Sequence, residues 1–149
     1  MNLEEFINVY YKDAAPEVQQ FFDEITSYCY MMNERDPGSF NMPTLSSGAG
    51  HLLEKKANWP EAMLVDWVEL FEQAYAKIMD SEQLTADQKV VLEIRIDNES
   101  IWPRYWLLKY YGKSHYTDEE YAILREEVLR DAYRAGYVEA GIGGNRLPE

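Results

Sequence analysis

The chain has 149 residues, one domain's worth, and a domain of that length hides roughly 70% of its unfolded-chain surface. Fourteen Lys and Arg against 27 Asp and Glu give a formal charge of -13, which repels phosphate backbones and anionic lipid and argues against nucleic acid as a partner. Hydrophobic residues at 46% and aromatic residues at 14% are too rich for a disordered chain, so the sequence is expected to fold.

Cys29 is the only cysteine, which excludes an intramolecular disulfide and a thiolate metal cluster within one chain. The start, MNLEEFINVYY, places acids where a secretory signal carries bases, and no apolar run approaches the roughly 18 residues of a membrane span. Neither signal-directed export nor membrane insertion is expected of the chain as it stands.

Helix-start chemistry recurs along the sequence. Asn2 with Glu5 opens a short helix carrying Leu3, Phe6, Ile7 and Tyr10. Asp13 is the expected N-cap of the next helix, with Pro16 in its first turn, where the missing N–H costs nothing. Val18, Phe21, Phe22, Ile25, Cys29 and Met32 line one face of that helix to about residue 34. Residues 33 to 57, with DPG, Pro43 and SSGAG, read as a long connection.

Asn58 with Glu61 predicts a second capping box, followed by the stripe Met63, Trp67, Leu70, Phe71, Ala74 and Ile78. Thr85 with Gln88 opens a third helix through Val91, Ile94, Arg95, Asn98, Ile101 and Trp102, toward Tyr105 and Leu108. Pro103 removes a ladder bond and strikes the carbonyl four residues back, which predicts a kink or short break near 97–101. Gly112 reads as the stop of this helix. Thr117 with Glu120 opens the last one, through Tyr121, Leu124, Val128, Leu129 and Ala132, with Glu126 and Arg130 as a surface pair and Gly136 as a left-handed cap. The expectation is an all-α fold, an antiparallel helical bundle of four main helices plus a short N-terminal helix, in one domain over 1–138 with a flexible tail over 139–149.

Chemistry-bearing motifs are sparse. Gly48 and Gly112 stand three residues before His51 and His115, so the Glu-x-x-His spacing of bundle metal sites is missing, as are HExxH and CxxC. Both histidines are expected to be solvent-exposed. The glycines of 48–50 and 141–144 lack the preceding strand of a phosphate-binding loop. Adjacent acids such as Glu4 and Glu5, Glu119 and Glu120, or Glu126 and Glu127 point about 100° apart on a helix and do not converge on a sugar ring. Ser46 and Ser47 near His51 lack an elbow and an orienting acid. No catalytic residue, cofactor or metal ligand is assigned. Trp59, Trp67, Trp102 and Trp106 exceed what a small bundle needs, with Trp67 expected in the core; Tyr10, Tyr11, Tyr110 and Tyr111, near helix ends, serve either the structure or an interface and are the candidate interface residues.

The stretch LEEFINVYYKDAAPEVQQFFDEI, with Phe6, Tyr10–Tyr11, Ala14–Ala15–Pro16 and Phe21–Phe22–Asp23, resembles the start of the helical C-terminal region in the bacterial family known as domain of unknown function 4838. The runs LFEQAYAKIMDSEQLTADQKVVLEIRIDNESIWPRYWLL and LREEVLRDAYRAG are similar to its later helices. Lys12 stands where that family's paired tyrosines are usually followed by glycine, and Pro103 also departs from its pattern. The resemblance implies a non-catalytic accessory domain that packs against a glycoside-hydrolase-like β/α barrel in a secreted or periplasmic polysaccharide-degrading protein. Two other readings stand beside it: a carbohydrate-binding module with exposed coplanar Trp or Tyr, and a helical protein-interaction domain with an exposed apolar patch.

Overall fold

A computed structural model describes residues 1–35 and 56–136, and among these all regular structure is helical. Six α-helices follow in order: α1 Leu3–Tyr11, α2 Ala15–Arg35, α3 Glu61–Asp80, α4 Ala86–Glu99, α5 Ile101–His115 and α6 Asp118–Arg134. The expected all-α bundle is present, and its predicted third main helix is two helices, α4 and α5. The proposed tail 139–149 and most of the 33–57 connection lie outside the described residues.

Capping explains most starts. Asn2, Thr85 and Thr117 each accept from the backbone N–H three residues on, while Glu5, Gln88 and Glu120 return the bond, giving three complete capping boxes. Two predicted caps differ. Lys12–Ala14 form a 3-10 turn that runs straight into α2, which leaves Asp13 inside the turn rather than at an N-cap. Asn58 lies in a second 3-10 turn, Lys56–Asn58, and Pro60 precedes the first residue of α3 with no side-chain cap bond. A proline there fixes its own φ near the helical value and loses no ladder bond.

The turn between α1 and α2 depends on Lys12, which has φ 49° and ψ -119° and donates its N–H to the Asn8 carbonyl. This is a backbone conformation that glycine adopts freely and a lysine does not.

The break between α4 and α5 falls at Ser100, inside the window that Pro103 predicted. Pro103 occupies the first turn of α5 and cannot donate to the Glu99 carbonyl. Arg104 ties the junction together, donating to the Asp97 carbonyl at 2.8 Å and to Ser100 Oγ at 2.9 Å. Gly112 does not stop the helix, which continues to His115. It is buried because the Tyr121 ring of α6 lies against it, and a Cβ there would fall 2.6 Å from Tyr121 Cε2. Gly136, at φ 96°, is the left-handed residue after α6.

Helix α3 is central, packing on α2, α4, α5 and the 12–14 turn, while α1 lies on α2 and α6 on α5. Its stripe of Leu64, Trp67, Leu70, Phe71, Ala74 and Ile78 is buried, with Met63 half-buried. Ile7 and Tyr11 of α1, Val18 and Phe21 of α2, Leu107 and Leu108 of α5, and Tyr121 and Val128 of α6 complete the core. On α4 the predicted row is displaced: Leu92 and Ile96 are buried, whereas Val91 and Ile94 face solvent.

Candidate functional site

The four candidate tyrosines divide between two places. Tyr10 is half-buried, stacked on Phe6 with centroids 5.1 Å apart. The Arg95 guanidinium lies 3.7 Å from the Tyr10 ring centroid, and Arg95 Nη1 donates to the Tyr10 carbonyl at 2.7 Å. Tyr11 is only 2% exposed and donates its hydroxyl to Glu99 Oε1 at 2.5 Å, which ties α1 to α4. Burial, then the bond to Glu99, push its phenol above the ordinary tyrosine range. Tyr11 is therefore a core residue and, contrary to the expectation of an interface role, offers almost no surface to a partner.

Tyr110 and Tyr111 are half-buried near the end of α5. Tyr111 donates to the Trp59 carbonyl at 2.8 Å and carries Lys56 Nζ 4.7 Å from its ring centroid, so it braces the turn before α3. Tyr10 and Tyr11 thus serve different tasks, because adjacent helical residues point to different faces.

The tryptophans are structural. Trp59, Trp67 and Trp106 are buried and Trp102 is half-buried. Trp59 stacks on Trp106 at 4.1 Å, and Trp67 donates Nε1–H to Glu24 Oε2 at 2.8 Å. Among the described residues no tryptophan forms the exposed coplanar platform that a carbohydrate-binding module would use. His115 is exposed, with Nδ1 3.0 Å from Glu61 Oε1; His51, Ser46, Ser47 and both glycine clusters lie outside the described residues. No group of three or more His, Cys, Asp or Glu among the described residues is placed to hold a metal ion, and no described helix is long and apolar enough to cross a membrane.

Two surface features carry functional potential. The first joins α1 and α4. Phe6 at 44% and Val91 at 45% exposure flank the Tyr10–Arg95 pair, and Lys12, Gln88, Val91 and Arg95 line a shallow groove of about 250 Å³. Leu3 and Val9 on α1, and Val90 and Ile94 on α4, add further exposed apolar side chains to the same two helices.

The second is a cleft of about 320 Å³ on the other side of α4, between α3, α4, α5 and α6. Phe71, Ile96, Leu107, Leu108 and Val128 form its floor; Glu72, Tyr75, Asp97, Arg104, Tyr116 and Glu127 form its rim. Beside it, the 1%-exposed Asp131 carboxylate is surrounded by cations: Arg134 at 2.9 Å, Arg130 at 3.1 Å and Arg104 at 2.9 Å. The Arg104 contact to Oδ2 is a charge contact and not an aligned hydrogen bond. Arg130 turns to Asp131 rather than to the predicted Glu126. Asp97 also takes Arg134 at 3.1 Å, yet burial and the nearby Asp131 charge raise its pKa above the ordinary aspartate value. The sequence gives no local signal for this cleft, since its residues come from four helices.

No family model, curated protein or solved structure matches the chain.

Proposed function

We propose that the chain is a non-catalytic helical accessory domain that docks on a larger catalytic partner through the α1–α4 face, the partner being the glycoside-hydrolase-like barrel of a polysaccharide-degrading protein. The observation that carries the docking role is the row Phe6, Tyr10, Arg95 and Val91 across two helices, in which Phe6 and Val91 are open to solvent and the half-buried Tyr10 carries the half-buried Arg95 on its ring. Such rows, with Tyr and Arg at the centre, have the composition of interface hot spots. A protein-interaction reading is favoured over a carbohydrate-binding module because the tryptophans are spent in the core. Lys12 supports the family likeness: it adopts a glycine-favouring conformation at the position where the resembled family usually has glycine. The non-catalytic reading is supported by the buried acids, since Glu17 is held by Lys77 and Asp131 by three arginines.

The test compares the natural full-length polypeptide with its barrel alone and with a Phe6→Glu, Val91→Glu double variant. Both sites are exposed, so the isolated domain should keep its stability to within about 1 kcal/mol. The barrel should unfold at lower temperature when the domain is removed or carries the double substitution. An unchanged barrel midpoint, or a natural polypeptide without a barrel, overturns the docking role. Glycoside turnover by the isolated chain that disappears on mutating one carboxylate overturns the non-catalytic part.

A further inference from the structure

We propose that the cleft between α3, α4, α5 and α6 is a binding site for a small organic ammonium cation with an apolar body. It lies on the opposite side of α4 from the docking face and does not depend on that reading.

The volume, about 320 Å³, is at the small end of the range for ligand pockets, roughly 300 to 1,000 Å³, and suits a compact ligand. Its floor of Phe71, Ile96, Leu107, Leu108 and Val128 offers hydrocarbon and aromatic carbon, which favours an apolar body. The rim decides the charge. Glu72, Asp97 and Glu127 bring three carboxylates to it, against the single cation Arg104; with Asp97 paired to Arg134 and Arg104 to the buried Asp131, the rim's excess charge rests on Glu72 and Glu127, neither of which is in an ion pair among the described residues.

The rim therefore carries an excess of negative charge, in a chain whose total charge is -13, and a cleft with such an excess concentrates cations. Tyr75 and Tyr116 supply rings at the same rim, and the negative face of a tyrosine ring attracts an ammonium group. An anionic ligand of the same shape would meet repulsion. The Asp97 carboxyl is raised first by burial, which carries no sign, and only then by the neighbouring Asp131 charge, so the preference for a cation rests on the rim carboxylates and not on this shift.

Three probes with one hydrocarbon body separate charge from shape: hexylamine, protonated at neutral pH, hexanol and hexanoate. Titrated into the full chain and followed by nuclear magnetic resonance, hexylammonium should saturate with shifts at Tyr75, Tyr116 and Leu124. It should bind about tenfold tighter than hexanol, with hexanoate weakest. General attraction to an acidic protein is separated by a matched pair of variants. Glu72→Gln with Glu127→Gln should weaken hexylammonium about tenfold. Glu119→Gln with Glu126→Gln, which removes the same charge from α6 positions that do not line the cleft, should leave it within twofold. Equal binding of hexanol and hexylammonium, equal loss in the two double variants, or no saturable binding each overturns the proposal.

Discussion

Two positions separate backbone need from packing need, and glycine chemistry at them should act in opposite directions. Lys12 carries a side chain where φ is 49°, a conformation that strains any residue with a Cβ. Its side chain is exposed, so Lys12→Gly removes little packing. Relief of strain outweighs the extra freedom glycine gives the unfolded chain, and the variant should gain about 1 kcal/mol. Gly112 is the reverse case. An alanine there would gain roughly 1 kcal/mol of helix propensity in open space, but its Cβ would lie 2.6 Å from a ring carbon of the buried Tyr121. Overpacking of that kind costs about 1 to 3 kcal/mol, so Gly112→Ala should be destabilised on balance. Urea unfolding of both variants beside the parent checks the pair, and a stabilised Gly112→Ala or a destabilised Lys12→Gly would show that the local geometry is misjudged. The sequence makes Gly112 conspicuous, yet the natural reading of a glycine late in a helix is a cap. Only the approach of α6 shows that the residue is small to admit a ring.

At the scale of elements, the α4–α5 break shows what a sequence can locate and what it cannot explain. Pro103 places the break to within a few residues, because a missing donor and a ring clash are properties of proline itself. What holds the two helix ends is an arginine network that no local pattern announces. Arg104 binds the Asp97 carbonyl, Ser100 and Asp131, and it is mostly buried, whereas Arg130 touches the same carboxylate from a side chain 60% exposed. Breaking a buried pair from one side costs several kcal/mol, while an exposed pair is worth under about 1 kcal/mol. Arg104→Met should therefore lose about 3 kcal/mol in denaturant unfolding, softened by the two arginines that remain on Asp131. Arg130→Met should lose less than 1 kcal/mol. Equal losses would mean that Asp131 is held by net charge around it and not by the geometry of Arg104. The displaced row on α4 has a related cause. That helix has apolar residues on two faces, and periodicity alone does not say which face α3 covers and which is left outside as Val91 and Ile94.

Across the whole molecule, an aromatic column takes up three of the four tryptophans and ties together segments distant in sequence. Tyr28 of α2 packs on Trp59 at 5.7 Å, Trp59 stacks on Trp106 of α5 at 4.1 Å, and Trp106 meets Trp102 at 5.6 Å. Tyr28 and Tyr111 both donate to carbonyls of the 58–59 turn, fixing it between α2 and α5. The sequence marks Trp67 as core because it sits on a helical stripe. Trp59 lies before its helix, outside any periodic pattern, and its 1% exposure follows from tertiary contact alone. Trp59→Ala should therefore be among the costliest single truncations, about 3 to 5 kcal/mol, because it removes a fully buried ring, opens a cavity and leaves Trp106 without its stacking partner. Trp102→Ala, at the half-buried end of the column, should cost distinctly less. Near-ultraviolet circular dichroism should lose most of its tryptophan signal in Trp59→Ala and only part of it in Trp102→Ala. Denaturant unfolding supplies the energies. A Trp59→Ala chain within about 1 kcal/mol of the parent would mean that the column decorates a core held elsewhere. The expected large loss would place the anchoring of α2 and α5 on one residue in the turn before α3.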